Sequence, residues 1–296
     1  MNKDNKIKFI EEAIAKNEQE AREAGALGFM VRSLVQATLP HSNPKTPYFE
    51  RVNGNLTLTM SAGSSKMGLP YGTIPRLIMS WITTEAIKTK ERQLILGDSL
   101  SGFLRELGLI PSGGRWGTIT RIKDQMGRLC ACSITVTYGY NKKGFIRKLD
   151  PVEDSNLWWD PKDPEQGALF NSTLFLREGF FKDVIKSSVV FRMDALKLLK
   201  QSSMAVDIYM WVTHRNSYAK DDSKIPWEAL QLQFGAGYPL TPLGKRNFKR
   251  MFIQALKKVA VAYPDAGKLR PEEKHLLFVR GKPDVPKLTK IYKIHE

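Results

Sequence analysis

Two stretches of this sequence combine helical apolar spacing with cationic and amide side chains suited to a polyanion. In the run from Arg115 to Leu129, RWGTITRIKDQMGRL, the residues Ile119, Ile122, Met126 and Leu129 fall on one helical face. That face is expected to be core. The opposite face carries Thr118, Arg121, Gln125 and Arg128, with Arg115 at the start. Arg and Gln can fork onto guanine and adenine edges in a major groove or bind phosphates. The same residues also suit an ordinary solvated face; a position after a turn and before a hairpin favours recognition.

The second stretch, TPLGKRNFKRMFIQALKKVAVAY, begins at Thr241. Phe248, Met251, Phe252, Ala255, Leu256 and Val259 form its expected buried stripe, and Lys245, Arg246, Lys249, Arg250, Lys257 and Lys258 point outward. Asn247 joins this polar set. No Asp or Glu occurs between Thr241 and Tyr263. Solvated helices usually mix signs, because i,i+4 pairs contribute a few tenths of a kcal/mol each. Unbalanced like charges repel one another unless a polyanion compensates. Lys142 and Lys143, in a polar turn, complete the candidate DNA-binding set.

Catalytic constellations are not found. His41, His214, His275 and His295 are scattered singly, so no metal centre beside a nucleophilic tyrosine, as a nickase needs, can be drawn. Around Gly244-Lys245 a P-loop would need Gly at position 239 and Ser or Thr at 246, where Pro239 and Arg246 stand. Gly235-Ala-Gly237 lacks the third glycine of a dinucleotide fingerprint. Cys130 and Cys132 have no second ligand pair at zinc-finger spacing and read as reduced core thiols on a strand. Neither a catalytic residue, a metal nor a cofactor is expected.

The elements that must hold these helices can be read from the rest of the chain. Residues 1–25 suggest a helix through Ile7, Ile10 and Ile14 that could dock on a domain or a second copy. A loop-rich region around 38–72 contains one short strand, Asn55–Met60. Ile74 to Lys88 predicts a core helix presenting Leu77, Ile78, Trp81, Ile82 and Ala86, with Pro75 in its first turn. A short strand over 92–97 precedes a helix with Asp98 as N-cap and Gly108 as terminator. After the turn LIPSGG comes the first candidate helix, starting near Arg115 or Trp116, then a strand from Cys130 to Tyr138 that Asn141–Gly144 returns as a hairpin. Helix, strand, helix, turn, helix, hairpin is the order of a winged helix.

Residues 150–168, acidic and Pro-rich with Trp158 and Trp159 as packing anchors, read as a linker or a wing insertion. The second half repeats the order: strands at 174–176 and 189–191, helices over 193–217 and through Leu232, the long helix 241–262, then a closing hairpin. The expected fold is α+β, mainly helical, with two tandem winged-helix domains. The expected divisions are a lead-in over 1–60, a first domain over 61–148, a linker or insertion over 149–180 and a second domain over 181–296.

Composition agrees with a polyanion partner. The 296 residues hold 46 Lys+Arg against 30 Asp+Glu, a formal charge of +16, and the sequence pI is near 9.7; such a field attracts polyanions at long range, and nucleic acid, an anionic membrane surface and acidic protein partners all satisfy it. No secretory signal or membrane span is read at either end, and the two cysteines form no disulfide framework. A bacterial cytoplasmic location, in association with nucleoid or plasmid and without membrane contact, is expected.

The string Leu69-Pro-Tyr-Gly72, Ile74-Pro-Arg-Leu77, Trp81, Thr83-Thr-Glu-Ala86, Leu94-Ile-Leu-Gly-Asp-Ser-Leu100 and Phe103-Leu-Arg-Glu-Leu-Gly-Leu109 resembles the RepA-type plasmid replication initiators of Gram-negative bacteria. Asn247 to Lys258 with Tyr263-Pro264 is similar to that family's C-terminal region, so the resemblance covers roughly residues 65–280. It implies a protein that binds direct repeats in double-stranded origin DNA, opens an adjacent AT-rich stretch without hydrolysis, and works with the host replication initiator and replicative helicase machinery. Related initiators exist as monomers and dimers, so a homodimer is one form the resemblance implies. The rival readings are a winged-helix repressor without origin opening, and a nickase or primase assembled from distant carboxylates.

Overall fold

The computed structural model describes residues 26–139, 144–157 and 172–285. The expected N-terminal helix, Lys142, Lys143, Trp158 and Trp159 therefore lie outside the described residues. The chain starts with β1 (Leu27–Val31), buried along its length, and the short α1 (Arg32–Gln36). β2 (Tyr48–Asn53) and β3 (Leu56–Ser61) form a hairpin with Asn53 opposite Leu56. β3 is the strand the sequence predicts. β2 was not expected, because Glu50, Arg51 and Asn53 interrupt its apolar alternation; its backbone is satisfied by β3.

α2 (Thr73–Thr89) buries all five predicted core residues, and also Arg76, Ser80 and Thr83. It is a central helix covered by β1 and by later helices, so one apolar face understates its contacts. β4 (Gln93–Ile95) leads into α3 (Leu100–Glu106). Ser99, not Asp98, is its N-cap, its side chain accepting the Gly102 N–H at 3.1 Å. Gly108 terminates it as expected: its φ is +71°, its N–H bonds Arg105 O at 2.8 Å, and Leu109 N–H bonds Leu104 O at 2.8 Å.

α4 (Thr118–Ala131) starts two to three residues later than predicted. Its last turn takes Cys130, Cys132 is the C-cap, and only then does β5 (Ser133–Tyr138) begin. This corrects the placement of the cysteines on the strand. The apolar stripe Ile122, Met126, Leu129 extends by one more step to buried Cys132, whose N–H closes on Arg128 O at 3.0 Å. Burial pushes the Cys130 thiol up to about 11 and Cys132 to about 12, so both stay protonated. β6 (Phe145–Lys148) returns antiparallel with Phe145 opposite Tyr138, as the hairpin reading requires. The sheet order is β2-β3-β5-β6, so this hairpin extends β2–β3 and, unlike the expected wing, does not pair with β4, because the β3 edge satisfies the β5 backbone.

The segment expected as linker or insertion is paired at both ends. β7 (Val152–Asn156) and β8 (Thr173–Leu176) join β4 in a sheet ordered β4-β8-β7, because Val152, Leu174 and Leu176 supply buried side chains. α5 (Glu178–Lys186) follows, then β9 (Ser188–Arg192), which pairs antiparallel with β1. α6 (Met193–Leu199) and α7 (Ser203–Asn216) lead to β10 (Ser223–Pro226), α8 (Trp227–Phe234) and α9 (Pro242–Ala262). A 3-10 turn, Pro264–Lys268, precedes the closing hairpin of β11 (Arg270–Pro271) and β12 (His275–Phe278), with β10 on the other side of β12. The fold is thus mixed α+β with small antiparallel sheets, and one continuous apolar cluster runs from Met30 to Phe278. Around α9 that cluster is aromatic, with Trp227–Phe252, Phe234–Phe252 and Trp211–Phe278 ring centroids 5.6–5.8 Å apart.

A buried ionic knot joins the two halves. Arg76 of α2 grips Asp207 of α7 through two bonds of 2.7 and 2.6 Å and also donates to the carbonyls of Leu39, Pro40 and Gly72. His41 Nε2 lies 2.7 Å from the same carboxylate. Asp207 is held down to about 2: burial opposes its charge, but the Arg76 and His41 contacts outweigh it. Burial drives His41 down to about 4, so it is neutral in the folded chain at pH 7.

This has a pH consequence. The unfolded imidazole titrates near 6.5, so below that pH the unfolded chain binds a proton that the folded chain refuses. The stability present above about pH 6.5 is therefore lost as pH falls towards 4, and at about 1.4 kcal/mol per tenfold difference in proton affinity the loss is roughly 3 kcal/mol. The Asp207 contribution, of opposite origin, is lost only below about pH 4. Urea unfolding at pH 7.5, 6 and 4.5 is expected to show this decline and a flatter profile for His41→Gln. Equal slopes in the two proteins would exclude His41 as the cause.

Candidate nucleic-acid interface

α9 is started by Thr241, whose Oγ1 accepts the Gly244 N–H at 3.1 Å, with Pro242 in its first turn. Gly244 is required by close packing, since a Cβ there would meet Pro239 O at 2.0 Å. Phe248, Phe252, Ala255, Leu256 and Val259 are buried as predicted. Met251 is not: it stands 40% exposed, because at about 100° per residue it sits just beyond the edge of that stripe.

The six predicted outward cations divide into two sets. Lys245 pairs with Glu228 of α8. Lys249 donates to the Glu272 and Glu273 carbonyls of the closing hairpin at 2.7 and 3.0 Å and lies 5.0 Å from the Trp227 ring centroid. These two hold α9 against its neighbours. Arg246, Arg250, Lys257 and Lys258 are exposed. At about 100° per residue, Arg246, Lys257 and Arg250 fall within about 40° of one another and form one cationic row. Asn247 is half-buried beside it. Sequence reasoning did not select Arg270 and Lys274, exposed on the hairpin after α9; their signal was their position in a turn flanking the basic helix.

α4 is engaged differently. Gln125 is 5% exposed, accepts the Tyr71 N–H at 2.8 Å and donates to Asp124 at 2.9 Å. Arg128 pairs with Asp124 at 2.9 Å, donates to Leu69 O at 3.3 Å and lies over the Tyr71 ring. Thr118 exchanges hydrogen bonds with Ser112 and donates to Ile110 O at 2.6 Å. Gln125 lies three residues beyond Ile122 and Thr118 four before it, so both border the apolar stripe and turn to adjoining loops. The predicted polar face thus holds the 69–71 and 110–118 segments, leaving Arg121 and Arg115 exposed. Trp116, not chosen from the sequence, stands 80% exposed with the Arg115 guanidinium 5.2 Å from its ring centroid.

Among the described residues no group of three or more His, Cys, Asp or Glu side chains could hold a metal ion, and no helix is long and apolar enough to cross a membrane. The arrangement offers cationic helix faces, each followed by a hairpin.

A family model described as plasmid encoded RepA protein matches residues 69–229. No curated protein matches. Two crystal structures of domains 2 and 3 of RctB are similar in fold. One, a selenomethionine derivative, has a TM-score of 0.53 at 11% identity and covers 86% of this chain and 98% of its own. The other has a TM-score of 0.50 at 12% identity, covering 84% and 97%.

Proposed function

From the premise that this chain belongs to the plasmid-encoded RepA family of replication initiators, we propose that it binds direct repeats in the double-stranded DNA of its own origin. It promotes opening of an adjacent AT-rich stretch by binding energy alone and hands the opened strand to the host replication initiator and helicase machinery. It acts in the bacterial cytoplasm on plasmid DNA, needs no cofactor and catalyses no reaction. The sheets β4-β8-β7 and β10-β12-β11 have the same order, so α2, β4, α3, α4, β7–β8 and its counterpart α7, β10, α8, α9, β11–β12 are read as two tandem winged helices, the first extending beyond 61–148 to take in β7–β8 and the second spanning about 181–296. The segment 149–180, expected as a linker or wing insertion, is read as the wing of the first unit, because its strands β7 and β8 complete the sheet of β4.

The observation that carries this reading is the row Arg246, Arg250 and Lys257 on the helix preceding the second hairpin, with Asn247 beside it. In a winged helix that position enters the major groove. Arg246 and Arg250 can fork onto guanine edges, whereas Lys257 suits a phosphate. Arg121, exposed on α4 of the first unit, adds a second basic contact.

Footprinting on DNA flanking the chain's own gene tests the proposal. Protection of evenly spaced repeats is expected, weakening about 10³–10⁵-fold between 50 and 200 mM salt if roughly 6–10 phosphates are neutralised. Protection confined to a promoter would make the protein a repressor. Metal-dependent nicking of supercoiled DNA would make it an enzyme.

A further inference from the structure

The loop joining α3 to α4 carries the two most exposed large apolar side chains among the described residues, Ile110 at 81% and Trp116 at 80%. Water disfavours such surface, and contiguous exposed apolar groups commonly mark a contact site. This loop is a built structure. The Ser112–Thr118 exchange closes its base, and Thr120 Oγ1 donates to Gly114 O at 2.9 Å. Gly117 has no room for a side chain, since a Cβ would meet Ser112 O at 2.2 Å and Gly113 O at 2.3 Å. Gly114 has φ +83°. Gly113 differs from both: a Cβ there would meet nothing within 4 Å, and its φ is not positive.

The charge around the loop says what kind of partner. No Asp or Glu occurs from Leu107 to Lys123, while Arg115, beside the indole, and Arg121 are exposed. An aromatic ring with a guanidinium over it, in a loop whose own residues include no carboxylate, suits a nucleobase on a polyanionic strand. Intact B-form DNA offers an aromatic ring little beyond the thymine methyl, whereas a base that has left the stack offers its whole face to an indole.

We propose that Trp116, with Arg115, is a stacking platform for an unpaired base, giving this chain a contact to single-stranded DNA separate from its duplex-reading helices. The assignment rests on the origin-binding function proposed above, and it adds the residue that holds the opened strand. Because every base has a π-face, the contact is tolerant of sequence.

The test compares the full-length chain with Trp116→Ala and Trp116→Phe, each checked for folding by circular dichroism. Two probes are titrated at one salt concentration: a thymine-rich single strand and a duplex carrying the origin repeats. The proposal expects Trp116→Ala to weaken single-strand binding about tenfold or more, Trp116→Phe to recover most of it, and duplex binding to change by less than about twofold. Equal single-strand affinity of wild type and Trp116→Ala would overturn it. So would a parallel loss on both probes, or no single-strand binding by the wild type. Failure of the wild type to protect any repeat would instead sink the origin-binding proposal, and the single-strand comparison would still decide the role of Trp116.

Discussion

Asp207→Ala is expected to lower the stability of the folded chain by about 3–5 kcal/mol, which is a large part of the 5–15 kcal/mol that typically separates folded from unfolded domains. The carboxylate is 5% exposed and receives two bonds from Arg76, which is itself 2% exposed. Removing it leaves a guanidinium in a dry interior without its counter-charge, and that desolvation is the source of the loss. Arg51, 1% exposed nearby, already has an Nη1 with no hydrogen-bond partner and is pushed down to about 9 by burial. The knot thus holds two guanidiniums against one carboxylate before any substitution. Asp207→Asn, which keeps the shape and one acceptor, should fall between wild type and Ala. Chemical denaturation of the three proteins is the check, and unchanged midpoints would mean that the knot contributes nothing net. Because Arg76 lies on α2 and Asp207 on α7, loss of the knot should also loosen the two halves, read as earlier proteolysis within 200–217.

The double reversal Arg246→Glu with Arg250→Glu is expected to weaken binding to origin repeats by about 10²–10⁴-fold. Each forked base contact contributes about 1–3 kcal/mol, and reversal adds repulsion from the phosphates. Fluorescence anisotropy at fixed salt measures it, with the melting temperature as control. Affinity within threefold of wild type would remove α9 from the DNA interface. The geometry supplies an internal contrast, since the Lys245 ammonium is already paired with Glu228. Lys245→Ala should change affinity by no more than a few-fold, although it lies next to Arg246 in sequence. A helix acting through undirected positive charge would respond alike at both positions.

Much of this molecule was legible in local sequence. The helices over 73–89 and 242–262, the Gly108 terminator and the hairpin after α4 each depend on periodicity or turn chemistry within about fifteen residues, and each is found. The string from Leu69 to Leu109 identified the family because its order is specific. What could not be read locally depends on groups far apart in the chain. Nothing near Lys245 announces Glu228, 17 residues away, so a sign count within the helix treated a paired ammonium as free. Nothing near Gln125 announces the Tyr71 amide, which draws it off the outward face. β1 is ordered by β9, and Asp207 finds Arg76 across 131 residues. Periodicity decides which face of an element is apolar. Whether a border residue turns to the core, a loop or DNA is decided by which unsatisfied partner packing brings within hydrogen-bond reach, and only the tertiary structure supplies that partner.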